Sequence, residues 1–406
     1  MTDLEDLLRR DLGEFASRAR PELIRGPQAP RMQRGSRTVR WLAPAAAVLA
    51  MVGVITGVSL ATGHRPRTGS GQPTEAQIAP GMPRYYVTVV RRIIRDDTTV
   101  TTTAVVHDSM TGAALARVRV PTLVTKGSVF APFISAASDD RTFVITETGG
   151  NPPNHRLAWF FLLHVAANGR SARLTRLPIS VPGSLSVHSA ALSPDGTKLA
   201  MQEQSCSTSG CYYTGIRVVT IATEAVRAWT TRARGAPWDV SWAGNSTLAF
   251  QWGKTNRLLN VAGTGGKLLS GPSVAVPAEP AAATGYISFL VTPDLRTVIT
   301  STVQNIPDGH GTDTVVAKIV ELSARTGRLL RVLSTTTEHA VTPGENIGET
   351  GSLDESCYVL SLAPSGTNVL ADCFGFGRTD GSRFTPLPGF PSPSSTGISD
   401  EHAAAW

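Results

Sequence analysis

Three textures of hydrophobic and polar positions follow one another along the chain. The first is a helical stripe, in which Leu4, Leu7, Leu8, Leu12, Phe15 and Ala19 recur at three- and four-residue steps. The capping box Thr2-Asp3-Leu4-Glu5 precedes it, so the pattern predicts an amphipathic helix over residues 2–19. Its apolar face (Leu4, Leu8, Leu12, Phe15) is too small to fold alone. Either it docks on a cytosolic protein or it frays. The second texture is the uncharged run Trp41–Thr62, 22 residues with no Asp, Glu, Lys, Arg or His. A helix of that length rises about 30 Å, the thickness of a bilayer's hydrocarbon core. From Tyr85 onward short β-branched runs alternate with Gly, Pro, Asp and Asn, which predicts strands and tight turns and no long helix.

The strand-rich part repeats. Its clearest unit is Ala190–Met201, an apolar strand entering the turn Ser193-Pro194-Asp195-Gly196 and a second apolar strand leaving it. Proline presets φ at the turn entry and glycine takes the positive φ that other residues resist. Related hairpins are expected at 134–145, 240–250, 289–300 and 360–371, with turn centres near 140, 195, 245, 294 and 365. Between them lie hairpins of a second kind, at 103–118, 162–177, 216–229, 258–269, 316–333 and 374–386, most of them turning on a glycine. Two hairpins per period make a four-stranded antiparallel sheet, and a ring of such sheets leaves few exposed edges. The fold class expected is therefore all-β, a β-propeller of six blades, with seven as the alternative and two sandwiches as the fallback. The first unit lacks an inner hairpin before Tyr85, so the C-terminal segment is expected to help close the ring.

Charge orients the chain. Arg31, Arg34, Arg37 and Arg40 crowd the N-terminal side of the apolar run, against Arg65 and Arg67 after it. The positive flank marks the cytoplasmic side. A cleaved signal peptide ending near Ser59-Leu60-Ala61 is the rival, but both its n-region and its apolar run would be too long. The layout expected is a cytosolic tail 1–40, a transmembrane signal anchor 41–62, a polar tether 63–83 and an extracytoplasmic propeller 84–406. Within the anchor, Gly53 and Gly57 form a GxxxG along which two spans could pack. The net charge of +7 comes from 38 Lys+Arg against 31 Asp+Glu and is spread out, so no basic patch of a nucleic-acid binder stands out.

All four cysteines follow the apolar run, as suits an oxidising compartment. Cys206 and Cys211 bracket a short loop. Cys357 and Cys373 are equidistant from Ser365, the centre of a hairpin turn, which sets them opposite each other on paired strands. Two disulfides are expected. Zinc-ligand spacing is missing, and we expect no metal and no cofactor.

The segment Leu192-Ser193-Pro194-Asp195-Gly196-Thr197-Lys198-Leu199-Ala200 resembles the repeat of TolB-type and WD40-like bacterial β-propellers, with weaker echoes at 138–145, 292–299 and 363–370. The whole layout is similar to single-pass membrane proteins of high-GC Gram-positive bacteria, down to the ending Arg383-Phe384-Thr385-Pro386-Leu387-Pro388. The resemblance implies architecture and is silent on activity, because propellers host many functions. The Gly-His and Trp-Asp pairs of eukaryotic WD40 blades are missing from their blade positions, since Trp238-Asp239 precedes an inner strand here instead of ending a third one, which weakens a direct carry-over of their peptide-docking mode.

Signatures of chemistry are sparse. The GxSxG elbow, HExxH, Walker A and EF-hand spacings do not occur. His107, His155, His164, His188, His310 and His339 are scattered, and Asp139-Asp140 reads as a solvated turn sooner than as a paired-carboxylate site. Trp238, Trp242 and Trp252 read as blade packing, with a ligand-lining role as the rival. The function expected is a membrane-anchored, non-catalytic module binding a protein, peptide or other ligand at a propeller face. The alternative is a transmembrane regulator that couples the propeller, through residues 2–19, to a cytosolic partner such as a sigma factor. An unrecognised propeller hydrolase comes third.

Overall fold

Turns of one kind set the architecture. The backbone N–H of Ala137, Ser193, Thr292 and Ala363 donates to the carbonyl five residues on, in Thr142, Lys198, Thr297 and Asn368, at 2.8–3.0 Å. A side chain two residues into each turn completes it. Asp139 Oδ1 accepts from the N–H of Arg141 and Thr142 at 3.1 and 2.8 Å, and Asp195 and Asp294 accept from Thr197 and Arg296 at 3.0 Å. These are Asx turns, in which a short carboxylate takes the place of a backbone acceptor. At Asp139 and Asp195 burial favours the neutral acid, but hydrogen bonds from the turn outweigh it and hold the pKa below the ordinary value. At Asp294 the Thr292 hydroxyl leads the same downward shift.

Position four of the turn is left-handed, with φ of 52° at Asp140, 70° at Gly196, 60° at Leu295 and 72° at Gly366. Leucine there is strained by about 1–2 kcal/mol, and Leu295 is exposed. Leu295→Gly is therefore expected to stabilise the fold by about 0.5–1 kcal/mol, after glycine's extra chain entropy is subtracted. A urea midpoint that falls in this variant would contradict the strain.

The computed structural model describes residues 81–93, 100–121, 128–129, 132–151, 155–181, 185–207, 210–231, 237–253, 255–275, 283–307, 312–341, 357–381, 383–387 and 401–406. The expected tail and anchor lie outside them, with Leu4, Leu8, Leu12, Phe15, Gly53 and Gly57, and so does the tether up to residue 80. Among the described residues no helix is long and apolar enough to cross a membrane.

Six sheets, antiparallel except for one short parallel pair, follow in chain order. Blade 1 contains β1 (Tyr85–Ile93), β2 (Val100–Asp108) and β3 (Ala114–Val120). Blade 2 has β4 (Ser128–Val129) and β5 (Phe133–Ala136), both on β6 (Thr142–Asn151), then β7 (His155–Val165) and β8 (Ala172–Arg176). Blade 3 is β9 (Leu185–Leu192), β10 (Lys198–Ser207), β11 (Gly210–Thr220) and β12 (Ala225–Thr230). Blade 4 is β13 (Pro237–Trp242), β14 (Thr247–Trp252), β15 (Thr255–Asn260) and β17 (Ser273–Val274), while β16 (Gly266–Lys267), between β15 and β17 in the chain, joins the sheet of blade 3. Blade 5 is β18 (Ala283–Val291), β19 (Thr297–Pro307), β20 (Thr312–Ser323) and β21 (Leu329–Val341). Blade 6 is β22 (Cys357–Leu362), β23 (Val369–Cys373), β24 (Phe376–Thr379) and β25 (Phe384–Pro386). The last strand, β26 (Glu401–Ala405), returns to pair with β1 and becomes the inner strand of blade 1. The inner strands then contact one another in a closed circle, β26, β5, β9, β13, β18, β22 and back to β26. The chain is an all-β, six-bladed propeller, and the expected closure by the C-terminal segment is observed.

Blade 4 departs from the expected hairpin 258–269. Gly266 and Lys267 pair in parallel with Trp229 and Thr230 of blade 3, and β17 takes the outer place on β15. Burial of Leu268 in the core between blades 3 and 4 draws the segment across. Arg227 of β12 holds it by donating to the carbonyls of Val261, Ala262 and Gly263 at 3.0–3.2 Å. Gly265, at φ 113°, permits the approach, because a Cβ there would lie 2.7 Å from the Ala228 carbonyl oxygen.

The hydrophobic core is divided. Each of six buried clusters sits at one interface between neighbouring blades, which is why the middle strands are apolar on both faces. The thinnest joins blades 6 and 1, with Tyr86, Leu370, Leu387, Ala404 and Trp406. Polar clamps reinforce that joint. Ser365 Oγ donates to the Gly81 carbonyl at 3.0 Å, and Arg378 donates to the Ser109 carbonyl at 3.2 Å.

Candidate functional site

The inner strands run toward the turns described above, and where they end the centre of the ring holds a cavity of about 170 Å³. All six blades contribute to its wall. The apolar part includes Ile134, Leu192, Val240, Leu290, Leu362 and Trp406, and the hydroxyls are those of Ser135, Ser138, Ser241 and Ser361. None of the lining residues carries a titratable side chain. The wall can therefore offer hydrogen bonds to an uncharged group. It has no side chain to move a proton or neutralise an ion. Among the described residues, no three His, Cys, Asp or Glu gather as a metal site would need.

The serines are not scattered. Counted back two residues from the residue that opens each inner turn, the inner strands present Ser135, Ala191, Ser241, Leu290 and Ser361 in blades 2 to 6. Ser135 Oγ accepts from the Leu192 N–H of blade 3 at 3.0 Å, and Ser361 Oγ donates to the Trp406 carbonyl of blade 1 at 3.1 Å. Trp242 ties blade 4 back to blade 3, its indole N–H donating to the Ala191 carbonyl at 2.8 Å. Its ring also lines the cavity, so the ligand-lining reading of Trp242 has a place in the structure. Trp252 is blade packing between blades 3 and 4. The side chain of Trp238 lies outside the described residues.

The remaining sequence candidates fall elsewhere. Cys357 and Cys373 are opposite each other in register and form a disulfide within the core between blades 5 and 6. Cys206 and Cys211 are likewise backbone partners, on β10 and β11, with their side chains outside the described residues. Asp139 and Asp140 belong to a turn, where Asp140 accepts from the Arg84 N–H at 2.7 Å. His107 is buried, stacks on Tyr86 at 4.6 Å, and bonds Thr88 and the Gly112 carbonyl at 3.1 Å. Burial lowers its pKa from the ordinary histidine value. His164 meets Thr142 at 3.3 Å beside a turn, and His188 meets Tyr213 edge-on. The cavity serines went unread in the sequence. Aligning the repeats on their turns, one column at a time, would have found them.

The fold and its central cavity define the class, a six-bladed β-propeller. Similar solved structures include Porphyromonas gingivalis dipeptidyl peptidase 4, with 12% identity over 71% of this chain and 44% of that one, at a TM-score of 0.33. A hypothetical selenium-binding protein from Sulfolobus tokodaii is 9% identical over 73% and 71% of the two chains, at 0.38. Prolyl oligopeptidase B from Galerina marginata is 10% identical over 75% and 40%, also at 0.38. The chain spans less than half the length of the two peptidases. No family model matches the chain, and no curated protein matches it. The six-bladed assignment rests on the strand pairing itself.

Proposed function

We propose that this protein is a membrane-anchored, extracytoplasmic, non-catalytic binding module whose site is the central cavity. One observation carries the reading: six inner strands converge on a hydroxyl-bearing pocket whose lining has no titratable side chain. Placed polar groups of this kind fix the orientation of a small ligand in a pocket. The uncharged run Trp41–Thr62 and its arginine-rich N-terminal flank supply the anchor and its orientation.

Trp242 and Trp406 line the cavity, so indole fluorescence of the full-length chain should respond when uncharged small molecules are titrated in. Ala190→Phe, which fills the cavity from blade 3, should abolish the response. A response that survives this substitution would move binding away from the cavity. Protease treatment of intact cells tests the placement, with residues 84–406 expected to be lost from outside.

A further inference from the structure

Positive charge is spread along the sequence, and the fold gathers part of it on one edge of the ring. The outer hairpins of blades 1 and 2, residues 100–120 and 155–176, contain Asp108 as their one acidic residue. Arg117 and Arg119 lie on β3, Arg173 and Arg176 on β8, and Arg170 in the turn before β8, and all five are exposed. β3 and β8 are the outermost strands of their blades and lie against each other. None of the five arginines forms a salt bridge among the described residues. Asp108 is taken up by its own turn, accepting from the N–H of Met110 and Thr111 at 3.0 and 2.9 Å. Elsewhere the cations are balanced or engaged. The outer hairpin of blade 5, residues 312–341, sets Lys318, Arg325, Arg328 and Arg331 against Asp313, Glu321 and Glu338. In blade 3, Arg217 pairs with Glu203, and Arg227 is spent on backbone carbonyls.

We infer that this arginine edge docks on an anionic phospholipid surface, the outer leaflet of the membrane that the proposed anchor occupies. The inference rests on that anchor, and it adds the strands that meet the lipid and the headgroup chemistry they meet. Planar guanidinium groups match phosphate oxygens in pairs. β3 and β8 carry no aromatic residue on which a nucleic-acid base could stack. None of the exposed large apolar residues falls on them either, so the edge lacks the anchoring centre of a protein interface. The chain that follows the apolar run enters the propeller on the same side. Gly81, whose carbonyl accepts from Ser365 Oγ at 3.0 Å, leads directly into β1 of blade 1, and the Arg84 N–H donates to Asp140 of blade 2 at 2.7 Å. Residues 63–80 span about 60 Å at most, even fully extended, so the edge stays within reach of the bilayer.

The test places the full-length chain in nanodiscs of phosphatidylcholine alone or mixed with phosphatidylglycerol. A fluorescent amino acid replaces Thr175, an exposed residue of β8, and energy acceptors sit on the lipid headgroups. Transfer is expected to be stronger in the anionic discs and to fall as added salt shortens the Debye length. Each basic residue at an anionic bilayer surface is worth about a five-fold gain in partitioning. Arg117→Gln/Arg119→Gln and Arg173→Gln/Arg176→Gln should therefore each lower the ratio of docked to free propeller about 10- to 30-fold. Arg325→Gln/Arg328→Gln, which removes two exposed charges from blade 5, should leave transfer unchanged. All these positions are exposed, where substitution rarely moves stability. Equal transfer in both kinds of disc, or an equal loss in the blade 5 variant, overturns the docking and leaves the anchor standing. A chain that never enters the discs overturns the anchor and the docking with it. If transfer is equal in both discs while soluble polyglutamate binds the wild type and not the edge variants, the edge belongs to an acidic protein instead of lipid.

Discussion

Trp406→Ala is expected to destabilise the propeller by about 3–5 kcal/mol, the usual cost of truncating a buried tryptophan. Two features push it toward the upper end. Trp406 is one of five buried apolar residues joining blades 6 and 1, whereas every other interface has nine or more among the described residues. The same joint closes the ring, because β26 both completes blade 1 and packs against β22. A cavity opened here weakens the one interface that links the end of the chain to its first blade. Ser361 Oγ bonds the Trp406 carbonyl and not its ring, so that hydrogen bond survives the substitution and the loss reports packing. A urea titration of the full-length chain gives the measurement, with Trp406→Phe as the reference that keeps most of the buried area. An alanine variant within about 1 kcal/mol of wild type would mean that the closing strand adds little to stability, against the packing described.

The hairpin order and the closing strand were legible because both are local. Pro194-Asp195-Gly196 encodes its own turn, and the same hydrogen-bond frame tolerates Asp140 or Leu295 where glycine would be easier. Cys357 and Cys373 were legible because they flank one turn at nearly equal distance, and a bulge between Val359 and Ser361 brings them into register across the hairpin. Features that depend on the neighbouring blade were not. Period-two alternation says that Leu268 seeks burial but not that blade 3 will supply it, so the outer hairpin of blade 4 was placed wrongly. The cavity has no signature in any one stretch. Its serines are spread over the inner strands of blades 2, 4 and 6, and each reads alone as an ordinary strand residue.

Glu147→Ala is expected to cost about 3–5 kcal/mol, by a different route. Glu147 lies on β6 and Arg91 on β1, so their ion pair joins the second strands of blades 2 and 1. Both side chains are nearly sealed from water, at 4% and 0% exposure. Removing the carboxylate leaves a guanidinium buried without this partner, and arginine cannot relieve the cost by losing its proton. The penalty therefore belongs to the desolvated charge more than to the lost attraction. That distinction is measurable. The double variant Arg91→Met/Glu147→Leu removes both charges at similar volume and should recover to within about 1 kcal/mol of wild type. Glu147→Gln, which keeps the shape and a hydrogen-bond acceptor, should fall between alanine and wild type. If the double variant is as unstable as Glu147→Ala, the pair is itself a net stabiliser of the joint between blades 1 and 2. The specificity of that joint would then rest on charge, where the neighbouring core of Tyr85, Val87, Phe143 and Phe161 implies apolar packing.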